Sequence, residues 1–183
     1  MEITYCDEWF LSEKRPLNLL DEKTAKLRHD KREAYAAVLS EQGQPQYVVK
    51  LVGKWVGVIF LDDLIRPYMR YNFKEIEKGK IFLTSVVCWE YKDESDEESK
   101  SIELYFKENG ETIMSEWDRE TGDIIERVGN FSTDPNWDVT IDVALTSPSG
   151  KKSKVGGFFY GSSKPQKPVI HQFKDAKGRE RSD

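Results

Sequence analysis

Residues 47–91 constrain the fold more than any other segment, because they are rich in side chains that favour β-strands. Val, Ile, Tyr, Phe and Trp occur there in short runs, which are separated by the turn-favouring residues Gly, Asp and Pro. Such a pattern predicts consecutive antiparallel strands. We therefore expect this segment to form the centre of a β-sheet.

The rest of the chain predicts further strands and little helix. Strands are expected at 2–11, 34–40, 46–52, 55–61, 68–76, 81–91, 102–107 and 112–116, and again after a turn at 120–123. Residues 21–33 favour a helical or irregular segment and residues 64–68 a single helical turn. Asp30 and Glu33 have the spacing of a capping box, and Asn109-Gly110 favours a type I′ hairpin turn. The sequence thus predicts an α+β, β-rich fold with a single antiparallel meander-type sheet and one short N-terminal helix.

Charge is distributed unevenly and predicts two parts. Residues 1–137 carry 19 Lys and Arg against 28 Asp and Glu, a net charge of −9, whereas residues 138–183 carry 9 against 5, a net charge of +4. We expect an acidic β-rich core domain over 1–137 and a basic extension over 138–183, strand-like to 160 and loosely ordered beyond. An acidic body repels phosphates, which disfavours nucleic acid as a partner and suits a basic protein.

No sequence motif indicates an active site, a cofactor or a metal. His29 and His171 lie in polar segments, and no zinc-ligand spacing, phosphate-binding glycine loop or nucleophile elbow occurs. Cys6 and Cys88 are too few for a disulfide framework and are expected as reduced thiols in the core. We therefore predict no catalytic residue, no cofactor, no metal ligand and no enzymatic activity.

The sequence also predicts neither a membrane span nor a secretory signal. No apolar run approaches the roughly 18 residues of a membrane-spanning helix. The first ten residues, MEITYCDEWF, are acidic where a signal peptide would be basic and then apolar. We expect the protein to act in the cytoplasm.

Residues 92–100, KDESDEESK, form a polar acidic loop between two predicted strands. Such a loop is either an ordinary solvated surface or an electrostatic contact patch for a basic partner. In the second case the partner-binding residues are its five carboxylates: Asp93, Glu94, Asp96, Glu97 and Glu98.

Several short motifs spread over residues 1–137 carry a family resemblance. They are Met1-Glu2-Ile3 with Trp9, the segments 21–25 (DEKTA), 30–35 (DKREAY), 57–62 (GVIFLD), 68–73 (YMRYNF) and 105–110 (YFKENG), and Asn136-Trp137. With these motifs the chain resembles small bacterial immunity proteins encoded beside rearrangement-hotspot (Rhs) and related polymorphic toxins. Past Trp137 it departs, because a basic extension stands where such proteins carry an acidic segment with Pro, an aromatic residue and Gly.

The resemblance implies a function for the acidic body. An immunity protein neutralises its cognate toxin domain by direct binding, which requires a rigid scaffold and a complementary patch but no catalytic group. The implied partner is a basic toxin domain that acts in the cytoplasm, such as a nuclease or an NAD-consuming enzyme. The oligomeric state is not predicted.

Two other functions stay open on the residues alone. Nine strand aromatics could form a platform for a ligand such as a carbohydrate, or could pack in the core: Trp55, Tyr68, Tyr71, Phe73, Trp89, Tyr91, Tyr105, Phe106 and Trp117. Four carboxylates lie near predicted strands and could pair as the acids of a small hydrolase: Asp62, Asp63, Glu103 and Glu116.

Overall fold

The computed structural model describes residues 1–139 and 174–175, which form one antiparallel β-sheet with one α-helix. The strands are β1 (Glu2–Phe10), β2 (Arg15–Leu20), β3 (Tyr35–Glu41), β4 (Gln44–Val52), β5 (Trp55–Leu61), β6 (Pro67–Glu77), β7 (Lys80–Tyr91), β8 (Glu98–Phe106), β9 (Glu111–Asp118), β10 (Ile124–Asn130), β11 (Trp137–Val139) and β12 (Lys174–Asp175). The helix α1 spans Glu22–Lys31, and short 3-10 turns lie at Leu11–Glu13 and Asp134–Asn136. The strand order is β2-β1-β3-β4-β5-β6-β7-β8-β9-β10-β12, with β11 also pairing with β7. The predicted β-rich α+β fold is confirmed, and from β3 to β10 the sheet is a simple meander.

The main core lies on one face of this sheet, which we call the inner face. Side chains that are paired across neighbouring strands form a continuous apolar row from β3 to β9. The row consists of Ala37, Val49, Val58, Tyr71, Val86, Leu104 and Met114. Because successive side chains of a strand point to opposite faces, the intervening residues form the outer face. Strand β5 is apolar on both faces, since Phe60 is buried in the main core and Ile59 in a smaller cluster on the outer face.

The hairpin of β1 and β2 covers part of the outer face. The first half of β1, up to Cys6, pairs with β3, whereas its second half pairs with β2 alone among the described strands. Trp9 is 2% exposed and packs with Cys6 and Ile59 in the outer cluster. We call residues 11–14 the hairpin tip. From this tip, Lys14 reaches across the sheet and forms a 2.7 Å ion pair with Asp96, between β7 and β8.

Helix α1 follows β2 and packs on the inner face. Its N-cap is Asp21, whose side chain accepts a 2.6 Å hydrogen bond from the backbone N–H three residues on, and Ala25 is fully buried in the main core. The helix ends before Arg32, which takes a left-handed conformation with φ 58°. The predicted helical segment is confirmed. A capping box at Asp30 and Glu33 is wrong, because the helix ends there instead of beginning.

The segment between β5 and β6 is a side-chain-stabilised turn. The Asp62 carboxylate accepts hydrogen bonds from the backbone N–H groups of Leu64 (3.0 Å) and Arg66 (2.8 Å), and Ile65 has a φ of 60°. Strand β6 begins directly afterwards, at Pro67. The predicted helical turn at 64–68 is therefore wrong, because Asp62 competes for the backbone donors that a helix would use.

The turn between β8 and β9 occurs at Asn109-Gly110, as predicted, but it is not of type I′. Gly110 has a φ of 92° whereas Asn109 does not take a positive φ, and the Gly110 N–H donates to the Lys107 carbonyl at 2.9 Å. The Asn109 side chain accepts from the backbone N–H of Glu111 at 3.1 Å. Type I′ requires positive φ at both central residues, so this hairpin has a longer loop with one left-handed glycine.

Only the beginning of the basic extension and two later residues are described. Strand β11 pairs with the first part of β7, and β12 pairs with β10 at Arg127 and Val128. The extension predicted to be strand-like from 138 is therefore described only at its first two residues. The predictions for the remainder, a strand-like region to 160 and a loosely ordered end, fall outside the described residues, apart from β12.

Candidate partner-binding surface

The acidic loop, residues 92–97, joins β7 to β8 and is held in place by its backbone. The Arg66 guanidinium donates to the carbonyl oxygens of Asp93 (3.1 Å) and Ser95. The same guanidinium forms a 2.8 Å ion pair with Asp62, so it connects the β5–β6 turn to the loop. Strand β8 begins at Glu98, two residues before the predicted end of the loop at 100. The loop thus presents its carboxylates from a fixed backbone.

The five predicted partner-binding carboxylates lie together around this loop, but they differ in how free they are. Three are exposed and form no ion pair with any described residue: Asp93, Glu94 and Glu97. Asp96 is paired with Lys14 from the hairpin tip at 2.7 Å. Glu98 is partly buried, and its Oε2 accepts a 3.0 Å hydrogen bond from Arg119. Hence three of the five side chains are free to meet a partner.

The acidic loop continues into the outer face of β8–β10 through Arg119. This side chain is bound to Glu98 at the end of the loop, and its guanidinium lies over the indole of Trp117 on β9, 3.1 Å from the ring centre. The loop and the outer face of β8–β10 therefore form one connected surface.

The outer face of β8–β10 consists of three parallel rows of cross-strand neighbours. The first is Tyr105, Ile113 and Val128, the second is Glu103, Ser115 and Glu126, and the third is Ser101, Trp117 and Ile124. Four aromatic and apolar members of the first and third rows are well exposed, namely Tyr105, Trp117, Val128 at 54% and Ile124 at 65%, whereas Ile113 is half-buried. We call this surface the rowed face. It places two carboxylates and a serine between two rows that carry the exposed aromatic and aliphatic side chains.

Strand β10 gives the rowed face an open edge. Among the described residues, the edge of β10 that faces away from β9 is paired only at Arg127 and Val128, with the two-residue strand β12. Ile124 and Ile125 stand beyond that pairing and are both exposed. Exposed apolar side chains on an edge strand are unusual unless another chain covers them.

Carboxylates on both faces of β8–β9 have hydrogen-bond or ion-pair partners on the sheet. On the outer face, burial and a hydrogen bond to Glu103 raise the pKa of the Tyr105 hydroxyl. On the inner face, a hydrogen bond to Glu116 raises the pKa of Lys100, and Arg127 approaches the same carboxylate at 3.8 Å. Both groups keep their proton at neutral pH, so Tyr105 remains a hydrogen-bond donor.

The aromatic platform that the sequence left open is only partly realised. Phe73 is buried in the main core, and Tyr68, Tyr71 and Phe106 pack against it. Three aromatics are exposed on the outer face: Trp55 at 48%, Tyr105 at 44% and Trp117 at 40%. Strand phase is the signal that could have identified them, since Tyr105 directly follows the buried Leu104 and must point to the opposite face.

The four candidate hydrolase acids are not brought together. Asp62 is engaged by Arg66 in the β5–β6 turn, and Asp63 follows it there. Glu103 lies on the outer face, whereas Glu116 lies on the inner face and pairs with Lys100. Over residues 1–139 and 174–175, no group of His, Cys, Asp and Glu side chains could hold a metal ion.

The cysteines are separated by the sheet. Cys6 is buried in the outer cluster and Cys88 in the main core, and neither forms a disulfide bond. Burial and the neighbouring Asp7 raise the pKa of the Cys6 thiol, which disfavours the reactive thiolate.

Within the part of the chain that the structure describes, no helix is long and apolar enough to cross a membrane. Comparison of the chain with protein-family models, with curated proteins and with solved structures found no match.

Proposed function

We propose that this protein is an immunity protein that binds and neutralises a basic toxin domain in the cytoplasm. The observation that supports this function best is the rowed face, where exposed aromatic and aliphatic side chains flank Glu103 and Glu126. Trp and Tyr are enriched among the residues that dominate binding energy in protein interfaces. Carboxylates at the centre of such a patch select a partner with complementary basic groups.

The two parts of the surface have different roles in this proposal. Trp117 and Tyr105 anchor the partner, because each offers a large ring that is already held in place by a neighbouring strand. The free carboxylates of the acidic loop lie at the rim of the surface, where charge accelerates encounter more than it strengthens the final complex. Neutralisation then follows from covering the working surface of the toxin.

The anchors are tested by replacing Trp117 with Ala and measuring binding to the toxin domain encoded by the neighbouring gene. We expect a loss of affinity of about thirty-fold, which corresponds to about 2 kcal/mol at an interface anchor. The matched control is Trp55→Ala, since Trp55 is equally exposed on the same face but lies outside the rowed face. The control should change affinity less than about two-fold. Equal effects of both substitutions would remove the rowed face from the interface.

The acidic loop is tested by charge reversal. Replacing Asp93, Glu94 and Glu97 together with Lys should slow association about ten-fold or more at low salt and reduce its salt dependence, with little change in dissociation. A second triple variant changes the net charge equally around α1, at the exposed carboxylates Glu22, Asp30 and Glu33. It should leave most of the association rate intact. If both triple variants associate equally fast, the loop does not steer the partner.

The function as a whole is tested in cells. Co-expression of this protein should restore growth to bacteria that express the toxin domain encoded by the neighbouring gene. The purified protein and toxin domain should elute as one complex. Separate elution together with continued killing would contradict toxin neutralisation.

A ligand-binding module is a second candidate, and one observation favours it. Trp55, Tyr105 and Trp117 are all exposed on the same outer face, as a carbohydrate platform would require. Saturable binding of an oligosaccharide that is lost in Trp117→Ala, without any effect of the protein on toxin activity, would support this function over the first.

A further inference from the structure

A cavity of about 320 Å³ lies between the hairpin tip and the outer face of β5–β7. Leu11 and Lys14 contribute to one wall from the hairpin tip, and Ile59 and Trp89 contribute to the opposite wall from the sheet. This volume is within the range of about 300–1,000 Å³ that is common for small-molecule sites. The cavity contains no residue of the rowed face, but it shares Asp96 with the acidic loop and Glu98 with the start of β8.

Arg70 is the uncompensated charge of this cavity. The two other cations in its lining have carboxylate partners, since Lys14 pairs with Asp96 and Arg66 with Asp62. Arg70 forms no ion pair with any described residue, and its buried Nε makes no hydrogen bond. Its guanidinium lies over the Trp89 indole, 5.6 Å from the ring centre. A buried guanidinium N–H without an acceptor indicates a place for an anionic acceptor.

Glu98 provides the opposite polarity in the same cavity. Its Oε2 accepts a hydrogen bond from Arg119, but its Oε1 is also buried and has no hydrogen-bond partner among the described residues. On β7, Val87 pairs with Arg70 of β6 and Tyr91 pairs with Glu98 of β8. Trp89 lies midway between these two positions. The cavity thus offers one donor and one acceptor on either side of an aromatic ring.

We propose that this cavity binds an amino-acid-type zwitterion with an apolar side chain, namely a free amino acid or a dipeptide. The ligand carboxylate accepts from the guanidinium of Arg70, whose planar donors match a carboxylate. The ligand ammonium group donates to Oε1 of Glu98, and the apolar side chain packs against Trp89 and Ile59. A phosphate dianion suits the cavity less well, because the Glu98 carboxylate would repel it.

Calorimetric titration of the full chain tests the proposal with L-leucine, L-phenylalanine and leucylleucine as probes. At least one of them should bind saturably at a single site. Its amide, which lacks the carboxylate, and its deaminated analogue, which lacks the ammonium group, should each bind at least about ten-fold more weakly. No saturable binding by any of the three zwitterions overturns the proposal, and so does an amide that binds as tightly as its parent.

Two matched variants locate the site. Arg70→Met should weaken binding of the probe at least about ten-fold. Lys74→Met is the control, because Lys74 lies on the same strand and the same face, with its amine 5.4 Å from the ring centre of Trp55, outside the cavity. The control should bind within about two-fold of the unmodified protein. Unchanged binding by Arg70→Met overturns the proposal.

A measurement on the unmodified protein does not depend on the folding of these variants. The probe should shift the indole N–H resonance of Trp89 in an NMR titration and leave that of Trp55 in place. A shift confined to Trp55 or Trp117 would place the ligand on the exposed face and overturn the cavity as its site.

Discussion

Gly110 is required for two separate reasons, a left-handed backbone conformation and a close contact at the Cβ position, and the cost of each can be measured separately. Its φ is 92°, a conformation that residues with a Cβ rarely adopt. In addition, a Cβ at this position would lie only 2.6 Å from Oδ1 of Asn130 and 2.6 Å from the carbonyl oxygen of Phe131. Gly122, in the next hairpin, has a φ of 75° but nothing within 4 Å of the Cβ position. The two glycines therefore differ mainly in the close approach.

The expected cost of Gly110→Ala follows from these distances. The left-handed conformation alone costs about 1–2 kcal/mol for Ala, and this part applies to Gly122→Ala as well. The Asn130 side chain can rotate away, but the Phe131 carbonyl belongs to the backbone and must move with its chain. That movement breaks the 2.9 Å hydrogen bond from the Phe131 N–H to the Gly110 carbonyl, which is worth about 0.5–1.5 kcal/mol. We expect about 3 kcal/mol for Gly110→Ala and about 1.5 kcal/mol for Gly122→Ala.

Equilibrium unfolding in urea measures both free energies. The midpoint should fall further for Gly110→Ala than for Gly122→Ala at an unchanged slope, because neither substitution changes the surface that unfolding exposes. If the two free energies of unfolding agree within about 0.5 kcal/mol, the contact with the 130–131 segment does not constrain Gly110.

Two further predictions concern Tyr91 and the start of α1. The Tyr91 hydroxyl donates to the Pro67 carbonyl at 2.7 Å, and burial, followed by the Glu98 carboxylate, raises its pKa to about 12. Since the unfolded chain loses this proton near pH 10, the contribution of Tyr91 to stability is complete below pH 10 and is lost as the pH rises towards 12. Between pH 9 and pH 11 the free energy of unfolding in urea should therefore decrease less for Tyr91→Phe than for the unmodified protein. Equal decreases would refute the assignment. Asp21→Ala removes the N-cap of α1 and should lower the free energy of unfolding by about 1 kcal/mol, whereas Asp21→Asn should lower it by a few tenths, and equal losses in both variants would show that the side-chain cap is not what stabilises the helix.

Strand positions could be predicted from the sequence because they depend on local alternation. The run from Trp55 to Leu61 and the turn at Gly122 are each determined by side chains within a few residues. The helical turn predicted near Leu64 failed for an equally local reason, since the Asp62 side chain captures two backbone donors. A period-based pattern does not register such side-chain competition.

The arrangement of the strands depends on distant contacts that a local pattern does not contain. Strand β1 lies between β2 and β3, so its neighbour on one side is separated from it by the whole of α1. The burial of Trp9 depends on the hairpin crossing the outer face, which no local pattern indicates. In the same way, nothing near Asp96 in sequence indicates that Lys14 pairs with it.

The candidate surface was predicted in part. The sequence placed five carboxylates in one segment, but the ion pairs of Asp96 and Glu98 depend on Lys14 from the hairpin tip and on Arg119 from the turn after β9. The exposure of Tyr105 and Trp117 follows only when the phase of β8 and β9 is fixed by the burial of Leu104 and Met114. Whether an aromatic residue of a strand is exposed or buried in the core depends on the face to which its side chain points, and not on its residue type.

The ion pair between the hairpin tip and the acidic loop has a consequence for the order in which the protein matures on the ribosome. Lys14 and Asp96 are 82 residues apart, so at about 5–20 residues per second Lys14 is synthesised roughly 4–16 s before its partner. During that interval β3 to β7 are synthesised one after another, and the last residues that complete the cavity wall are Asp96 and Glu98. Closing the hairpin tip onto the acidic loop is thus a late event of biosynthesis, and the cavity forms only after the meander has been extended past β7.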